Sequence, residues 1–303
     1  MPESKVATMN QPQPWTIGRL LQWTTDYLKQ HGSSSPRLDA ELLLAKSLDR
    51  PRIELYTGYQ DDPGDEVRSS YRELVRRRAA GEPVAYLVGR REFYSLSFEV
   101  TTDVLIPRPE TEFVVMALLD AIKASPANDH PWRIADVGTG SGVLAICAAK
   151  HVSTAQVTAI DISPPALEVA RRNARAHDVA DRIEWIEGDL LTSLSEDPRF
   201  DFIVSNPPYV SQAELEQTPR EVQLYEPHSA LVAGPTGDEI IARLVPQAAS
   251  RLVGGGALIT EISPMLEQRI LQLLQQDDRF EEPNIVKDLS GHSRVIVTRR
   301  RKE

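Results

Sequence analysis

From about residue 132 the chain alternates short apolar runs with helix-like stretches, and this order restricts the fold more than any other feature. The runs 133–137, 155–160, 183–186, 202–204 and 256–262 read as strands, and 143–150, 165–177, 239–252 and 264–276 as helices. Regular alternation argues for a parallel sheet with helices on both faces, a Rossmann-like α/β architecture. The segments 284–288 and 294–298, placed around Gly291, end the chain.

In open α/β sheets, ligands sit beyond the carboxyl ends of the strands. Four polar signals fall there. After the first strand comes Gly138-Thr139-Gly140-Ser141-Gly142, a tight turn whose glycines allow close backbone approach and leave N–H groups free at a helix start. Asp161 ends the second strand, 19 residues beyond Gly142, where an acid accepts hydrogen bonds from ribose hydroxyls. Asp189-Leu190 follows the third strand and is placed to bracket an adenine, the carboxylate near its amine and the leucine against its face. The Gly-x-Gly-x-Gly spacing differs from the Gly-x-Gly-x-x-Gly of dinucleotide proteins, and no phosphate loop ending in Gly-Lys is present.

The fourth signal is Asn206-Pro207-Pro208-Tyr209, which follows the buried run Phe202-Ile203-Val204. The two prolines fix φ and remove two backbone donors. Asn206 Oδ1 and the Pro207 carbonyl can each accept one proton of a planar NH2 group, and Tyr209 can pack on its face. A plain loop stop is the alternative.

The first third of the chain differs. Apolar positions at helical spacing predict helices over 16–30, 36–48 and 66–80, with a shorter segment at 53–59. The run Arg76-Arg77-Arg78 reads as a solvated face, with a partner-docking surface as the alternative. A β-hairpin is expected over 91–100, then a proline-rich linker, Leu105-Ile106-Pro107-Arg108-Pro109-Glu110-Thr111-Glu112. Pro109 with Glu110 and Glu112 suits a helix N-terminus, which leaves Arg108 unaccounted for. The linker is expected to form one wall of the site. The organisation expected is a disordered N-terminus over 1–14, a helical domain over 15–81, hairpin and linker over 82–112, and a catalytic α/β domain over 113–303.

With 34 basic and 44 acidic residues, the 303-residue chain has a formal charge of −10. That argues against broad gripping of nucleic acid. The single cysteine, Cys147, excludes an internal disulfide, fits a reducing compartment and is expected in the core. The histidines are scattered, and no spacing suggests a metal site. No apolar run approaches a membrane span, and 1–14 has no signal-peptide core. A cytoplasmic monomer is expected.

Glycine turn, ribose acid, adenine acid and Asn-Pro-Pro-Tyr together resemble the S-adenosylmethionine-dependent methyltransferases of exocyclic or amide nitrogens. Two further segments are similar to those of the peptide-chain release factor glutamine methyltransferases: Gly81-Glu82-Pro83-Val84-Ala85-Tyr86-Leu87-Val88-Gly89 continuing to Phe93, and the 105–112 linker. Tyr225-Glu226-Pro227, Lys287-Asp288-Leu289-Ser290-Gly291 and Arg294 match too, so that the resemblance spans roughly residues 15–299. It implies methyl transfer from S-adenosylmethionine, leaving S-adenosylhomocysteine, to the N5 amide of the glutamine in a release factor's Gly-Gly-Gln loop. It also implies a helical N-terminal domain that helps dock the release factor. Asn206, Pro207 and Tyr209 would be catalytic and, with Pro208, would hold the substrate. Gly138 to Gly142, Asp161, Asp189, Leu190 and Asn206 would hold the donor. Some family members carry an aromatic residue at the place of Leu190. Glu226 would shape the substrate loop or brace it. Related enzymes that methylate a ribosomal-protein glutamine, and nucleic-acid adenine-N6 or guanine-N2 methyltransferases, use a similar loop. A non-enzymatic nucleotide-binding regulator is a further alternative.

Overall fold

The computed structural model describes residues 14–126, 130–195, 197 and 199–302. The stretch expected to be disordered, 1–14, lies outside them except for Pro14. The chain divides into two compact units between Val88 and Gly89.

The first unit holds helices α1 (Ile17–Gln30), α2 (Pro36–Leu48), α3 (Glu54–Thr57), α4 (Gly64–Ala79) and α5 (Val84–Val88). Thr16 caps α1 by accepting the Arg19 N–H at 3.3 Å, satisfying a donor that the first turn leaves free. Ile17, Leu21 and Leu28 on α1 bury against Leu43 and Leu44 of α2 and Tyr71 and Val75 of α4. The solvated face expected at Arg76-Arg77-Arg78 holds for the first two only. Arg78 is buried, and its Nε donates to the buried Asp39 at 2.7 Å. The helical period explains this: Arg78 stands three residues after Val75 and so shares its inward face.

The second unit opens with strands β1 (Arg90–Phe93) and β2 (Leu96–Glu99), paired antiparallel. Tyr94 and Ser95 between them take φ of 47° and 62°, the left-handed pair that matches strand twist in a two-residue hairpin. There follow α6 (Glu112–Ala124), β3 (Trp132–Val137), α7 (Val143–His151), β4 (Ala155–Asp161), α8 (Pro164–Ala176), β5 (Ile183–Glu187) and β6 (Phe200–Ser205). An excursion of β7 (Val210–Ser211), α9 (Gln212–Leu215), α10 (Arg220–Tyr225) and β8 (Val232–Gly234) precedes α11 (Glu239–Arg251), β9 (Leu252–Glu261), α12 (Glu267–Gln275), β10 (Asn284–Lys287) and β11 (Ser293–Arg299).

The main sheet has the order β10-β11-β9-β6-β3-β4-β5. Its members from β9 to β5 run parallel, but β11 is antiparallel to β9 and β10 to β11. The parallel sheet expected from alternation is found from β9 to β5, and the terminal strands β11 and β10 extend it antiparallel on one side. No helix separates β10 from β11, and without a crossover two successive neighbouring strands pair as a hairpin. Alternate side chains face opposite layers. Phe202 and Val204 join Ile134, Val157 and Ile259 on one side, while Ile203 joins Val137, Ile160 and Leu258 on the other. The chain steps from β3 outward to β4 and β5, then returns to β6 on the opposite flank. That reversal opens a crevice at the carboxyl ends of β3 and its neighbours. Among the described residues no helix is long and apolar enough to cross a membrane.

Candidate active site

At the carboxyl edge of β3, Gly138, Gly140 and Gly142 take φ of 74°, 55° and 87°, a region that glycine enters without steric cost. A Cβ on Gly138 or Gly140 would meet nothing within 4 Å, so this backbone borders open space. A Cβ on Gly142 would lie 3.0 Å from Ile146 Cδ1 and 3.1 Å from Ala170 Cβ, so this glycine serves the approach of α7 to α8. The turn is held from below by Asp136, which is wholly buried. Its Oδ2 accepts the Thr139 hydroxyl at 2.6 Å and the Ala145 N–H at 2.9 Å. Burial pushes its carboxyl up to about 7 against the pull of those two donors.

Asp161, at the end of β4, reaches across to the same turn. Its Oδ2 accepts the Gly140 N–H at 2.8 Å, and its Oδ1 accepts the Ser163 N–H at 2.9 Å. Burial raises its pKa and the backbone donors oppose the rise. Each oxygen has a second lone pair to offer. The acid expected to meet a ribose therefore also fixes the glycine turn.

These groups border a cavity of about 380 Å³. Gly138, Thr139, Gly140, Ser141, Asp161, Asp189, Leu190, Asn206 and Pro208 all line it. Gly142, Pro207 and Tyr209 do not. Leu190 holds φ of 55°, a left-handed conformation uncommon for a branched side chain, at the cavity wall. Asp189 is ion-paired with Arg243 of α11. Ile162, 62% exposed, and Arg243 also line the cavity and have no counterpart in the sequence reading. The linker supplies a wall through Asp103, Val104, Leu105, Pro107 and Thr111, as expected.

Asn206 stands at the end of β6. Its Nδ2 donates to Thr111 Oγ1 at 2.9 Å, and Thr111 in turn donates to Glu261 Oε2 at 2.6 Å. The other oxygen of Glu261 accepts the Tyr209 hydroxyl at 3.1 Å. Among the described residues no group donates to Asn206 Oδ1 or to the Pro207 carbonyl. Both oxygens are thus unengaged among the described residues. Tyr209 is half-buried against the core layer that contains Ile203 and Leu258, and its hydroxyl is turned to Glu261. Burial raises its pKa, and the neighbouring Glu261 adds to the rise.

Arg108 finds its partner in Glu226. Its Nη2 donates to Glu226 Oε1 at 2.5 Å, and the Ile106 N–H donates to Oε2 at 3.2 Å. Glu226 is 4% exposed, so the linker is clamped to the chain between α10 and β8. Of the two roles open to Glu226, the contacts are those of a brace. Asn173 of α8 does similar work, bonding both backbone groups of Glu99 and the Ser141 carbonyl. Thr111, Glu261 and Asn173 were not singled out by sequence. The available signal for Glu261 was an acid within the apolar run of β9, at the edge where ligands bind.

Two family models match the chain: the PrmC N-terminal domain over residues 19–89 and the methyltransferase small domain over 115–234. The release factor glutamine methyltransferase of Rhodopirellula baltica is 47% identical over 291 residues, covering 96% of this chain and 98% of that protein. The enzyme of the same description from Koribacter versatilis is 39% identical over 285 residues, covering 94% and 99%. Among solved structures, the hMettl16 catalytic domain in complex with MAT2A 3'UTR hairpin 6 aligns with a TM-score of 0.55 at 15% identity. That alignment covers 76% of this chain and 82% of the other, and the likeness is one of fold alone. On the near-complete span and identity of the first two, the chain belongs to the release factor glutamine methyltransferase family.

Proposed function

We propose that this protein transfers the methyl group of S-adenosylmethionine to the side-chain amide nitrogen of the glutamine in a release factor's Gly-Gly-Gln loop. The observation that carries this reading is the orientation of Asn206: one N–H of its Nδ2 donates to Thr111, which turns Nδ2 to the linker and leaves Oδ1 to receive a substrate N–H. Family membership over nearly the full chain supports the same substrate class.

The residues at the cavity fit the donor. A volume of about 380 Å³ lies within the ~300–1,000 Å³ usual for small-molecule sites. Gly138 and Gly140 leave room for close backbone approach, and Asp161 keeps lone pairs for ribose hydroxyls. Leu190 and Ile162 offer apolar faces for a purine, with Asp189 beside them. S-adenosylmethionine supplies an electrophilic methyl on a sulfonium.

The chain's own task lies with the amide. A carboxamide nitrogen is a poor nucleophile because its lone pair is delocalised into the carbonyl. Asn206 Oδ1 and the Pro207 carbonyl, each accepting one N–H, hold the nitrogen so that its lone pair points at the methyl. Holding two reactants in line lowers a barrier by roughly 7–11 kcal/mol. The nitrogen loses its proton after transfer, so no strong base is required beforehand. Pro208 lines the site and stiffens the loop, and Tyr209 steadies the loop through Glu261.

The helical unit, on this reading, docks the release factor. The protein acts in the cytoplasm as a monomer, on the machinery of translation termination. The test uses purified chain, labelled S-adenosylmethionine, and a release factor with its Gly-Gly-Gln intact or changed to Gly-Gly-Ala. Label confined to the intact factor is expected. Label in the Ala variant, in a ribosomal protein or in nucleic acid would overturn the assignment.

A further inference from the structure

Glu261 is 0% exposed, and among the described residues it has no ion-pair partner within reach. Arg294 is the cation that acts on it, and Arg294 is committed to Asp288 at 2.8 Å. Glu110 on the linker opposes ionisation, and burial pushes the carboxyl up to about 7. A buried acid held, among the described residues, by two hydroxyls is a costly way to brace a fold, and well-packed apolar groups commonly do that better. Such violations of packing logic concentrate at functional sites.

The directions of the hydrogen bonds say what the acid does. An ionised carboxylate only accepts. Each of its oxygens takes one hydroxyl proton, from Thr111 and from Tyr209. A threonine hydroxyl has one proton, so Thr111 Oγ1, having donated it to Glu261, can only accept toward Asn206. It accepts from Nδ2 at 2.9 Å. An asparagine amide turned over about its last torsion would present its oxygen to Thr111 and its NH2 to the cavity. Two N–H groups would then face each other, and no substrate amide could be held. Thr111 lies 95 residues from Asn206 and 150 from Glu261, so the chain of bonds joins three separate segments, two of which, at Thr111 and Asn206, line the cavity.

Building on the methyl-transfer reading above, we propose that Glu261 is a positioning residue: by taking the Thr111 proton it polarises the relay Asn206–Thr111–Glu261 and locks the Asn206 oxygen toward the substrate nitrogen. Glu261 need not touch donor or glutamine to do so. A glutamine at 261 keeps shape and volume but carries an NH2 that can donate to Thr111. With that NH2 facing Thr111, the Thr111 proton is free to turn to Asn206, and the Asn206 amide can invert.

The test compares wild type with Glu261→Gln, Thr111→Val, the double variant and Thr111→Ser, measuring kcat, KM for the release factor and the calorimetric Kd for S-adenosylmethionine. We expect kcat to fall about 100-fold in each of the first two, the scale of losing one oriented polar group at a reacting centre. The Kd should stay within about threefold. The double variant should fall little further than either single one, because both break one relay. Thr111→Ser, which keeps the hydroxyl, should stay within about threefold of wild type. A second readout needs no substrate: the side-chain amide protons of Asn206, followed by nitrogen-15 NMR, should show one proton bonded in wild type and released in Glu261→Gln. Wild-type kcat in Thr111→Val, multiplicative losses in the double variant, or an unchanged Asn206 amide signal would each overturn the inference. If Glu261→Gln does not fold, Thr111→Val decides by the same kcat criterion. A wild-type protein that fails to methylate release factor refutes the function reading, while the NMR comparison still judges the relay.

Discussion

The two ends of the cavity are built in opposite ways. The end at β3 and β4 is backbone: three glycines in left-handed conformations and one aspartate that bonds the turn it faces. Its parts lie between Gly138 and Ser163, close in sequence. The end at β6 is side chain: Asn206 and Thr111 line it, and Glu261 and Tyr209 back them by hydrogen bonds between segments 52 to 150 residues apart. Backbone that leaves room suits a ligand whose shape must be admitted. Polarised side chains suit a group whose orientation must be imposed. The contrast predicts that damage at the first end weakens binding and damage at the second slows turnover.

The sharpest break is Asn206→Ala. We expect kcat to fall by about 10³-fold or more, from loss of the oriented acceptor and of in-line geometry, with donor affinity within about threefold. Steady-state kinetics beside calorimetry check it, and a fall mainly in affinity would merge the two ends. Gly140→Ala probes the other end. Holding an L residue at φ of 55° costs ~1–2 kcal/mol, and the methyl enters the donor's space. Donor Kd should rise about 10–30-fold, with kcat at saturation nearly kept.

A pH profile sharpens the comparison further. Burial raises Glu261 to about 7, and only its ionised form accepts from both hydroxyls. As pH falls through about 7 the carboxyl gains a proton, one hydroxyl loses its acceptor, and kcat should fall while donor Kd stays level. Glu110 and Arg294 act on the same group and set where the limb lies. The stability effect has the reverse sign. A raised native pKa means the folded state binds the proton more tightly, so this stabilisation is full below the usual glutamate value and is lost as pH rises through about 7. The melting temperature of Glu261→Gln, relative to wild type, should therefore improve on going from pH of about 5 to about 8. The smallest expected effect is on the brace. Glu226→Ala leaves the Ile106 N–H and Arg108 without their partner and should lower stability by ~1–3 kcal/mol, read by denaturant unfolding.

Legibility followed the same division. The glycine turn, Asp161, Asp189 and Asn206 could be placed from sequence because each directly follows a strand, and strand ends are where such sheets bind. Arg108 looked unexplained, since its partner Glu226 is 118 residues away and no local pattern links them. Thr111 read as part of a helix start, which it also is, preceding α6. Glu261 was hidden inside a strand whose other residues announce only burial. Arg78 misled in the opposite direction: three consecutive arginines suggest solvent, yet the helical period turns the third inward to Asp39. The antiparallel finish of the sheet followed from the absence of a helix between β10 and β11.

The bond from Thr111 to Glu261 closes a span of 150 residues, and its far anchor is the last residue of β9. The glycine turn, Asp161, Asp189 and Leu190, by contrast, all precede β6. A fragment ending before β9 would retain the glycine turn with its aspartate and lack the means to aim an amide. Under the proposed relay, the group that aims the amide is therefore set only once β9 has paired with β6.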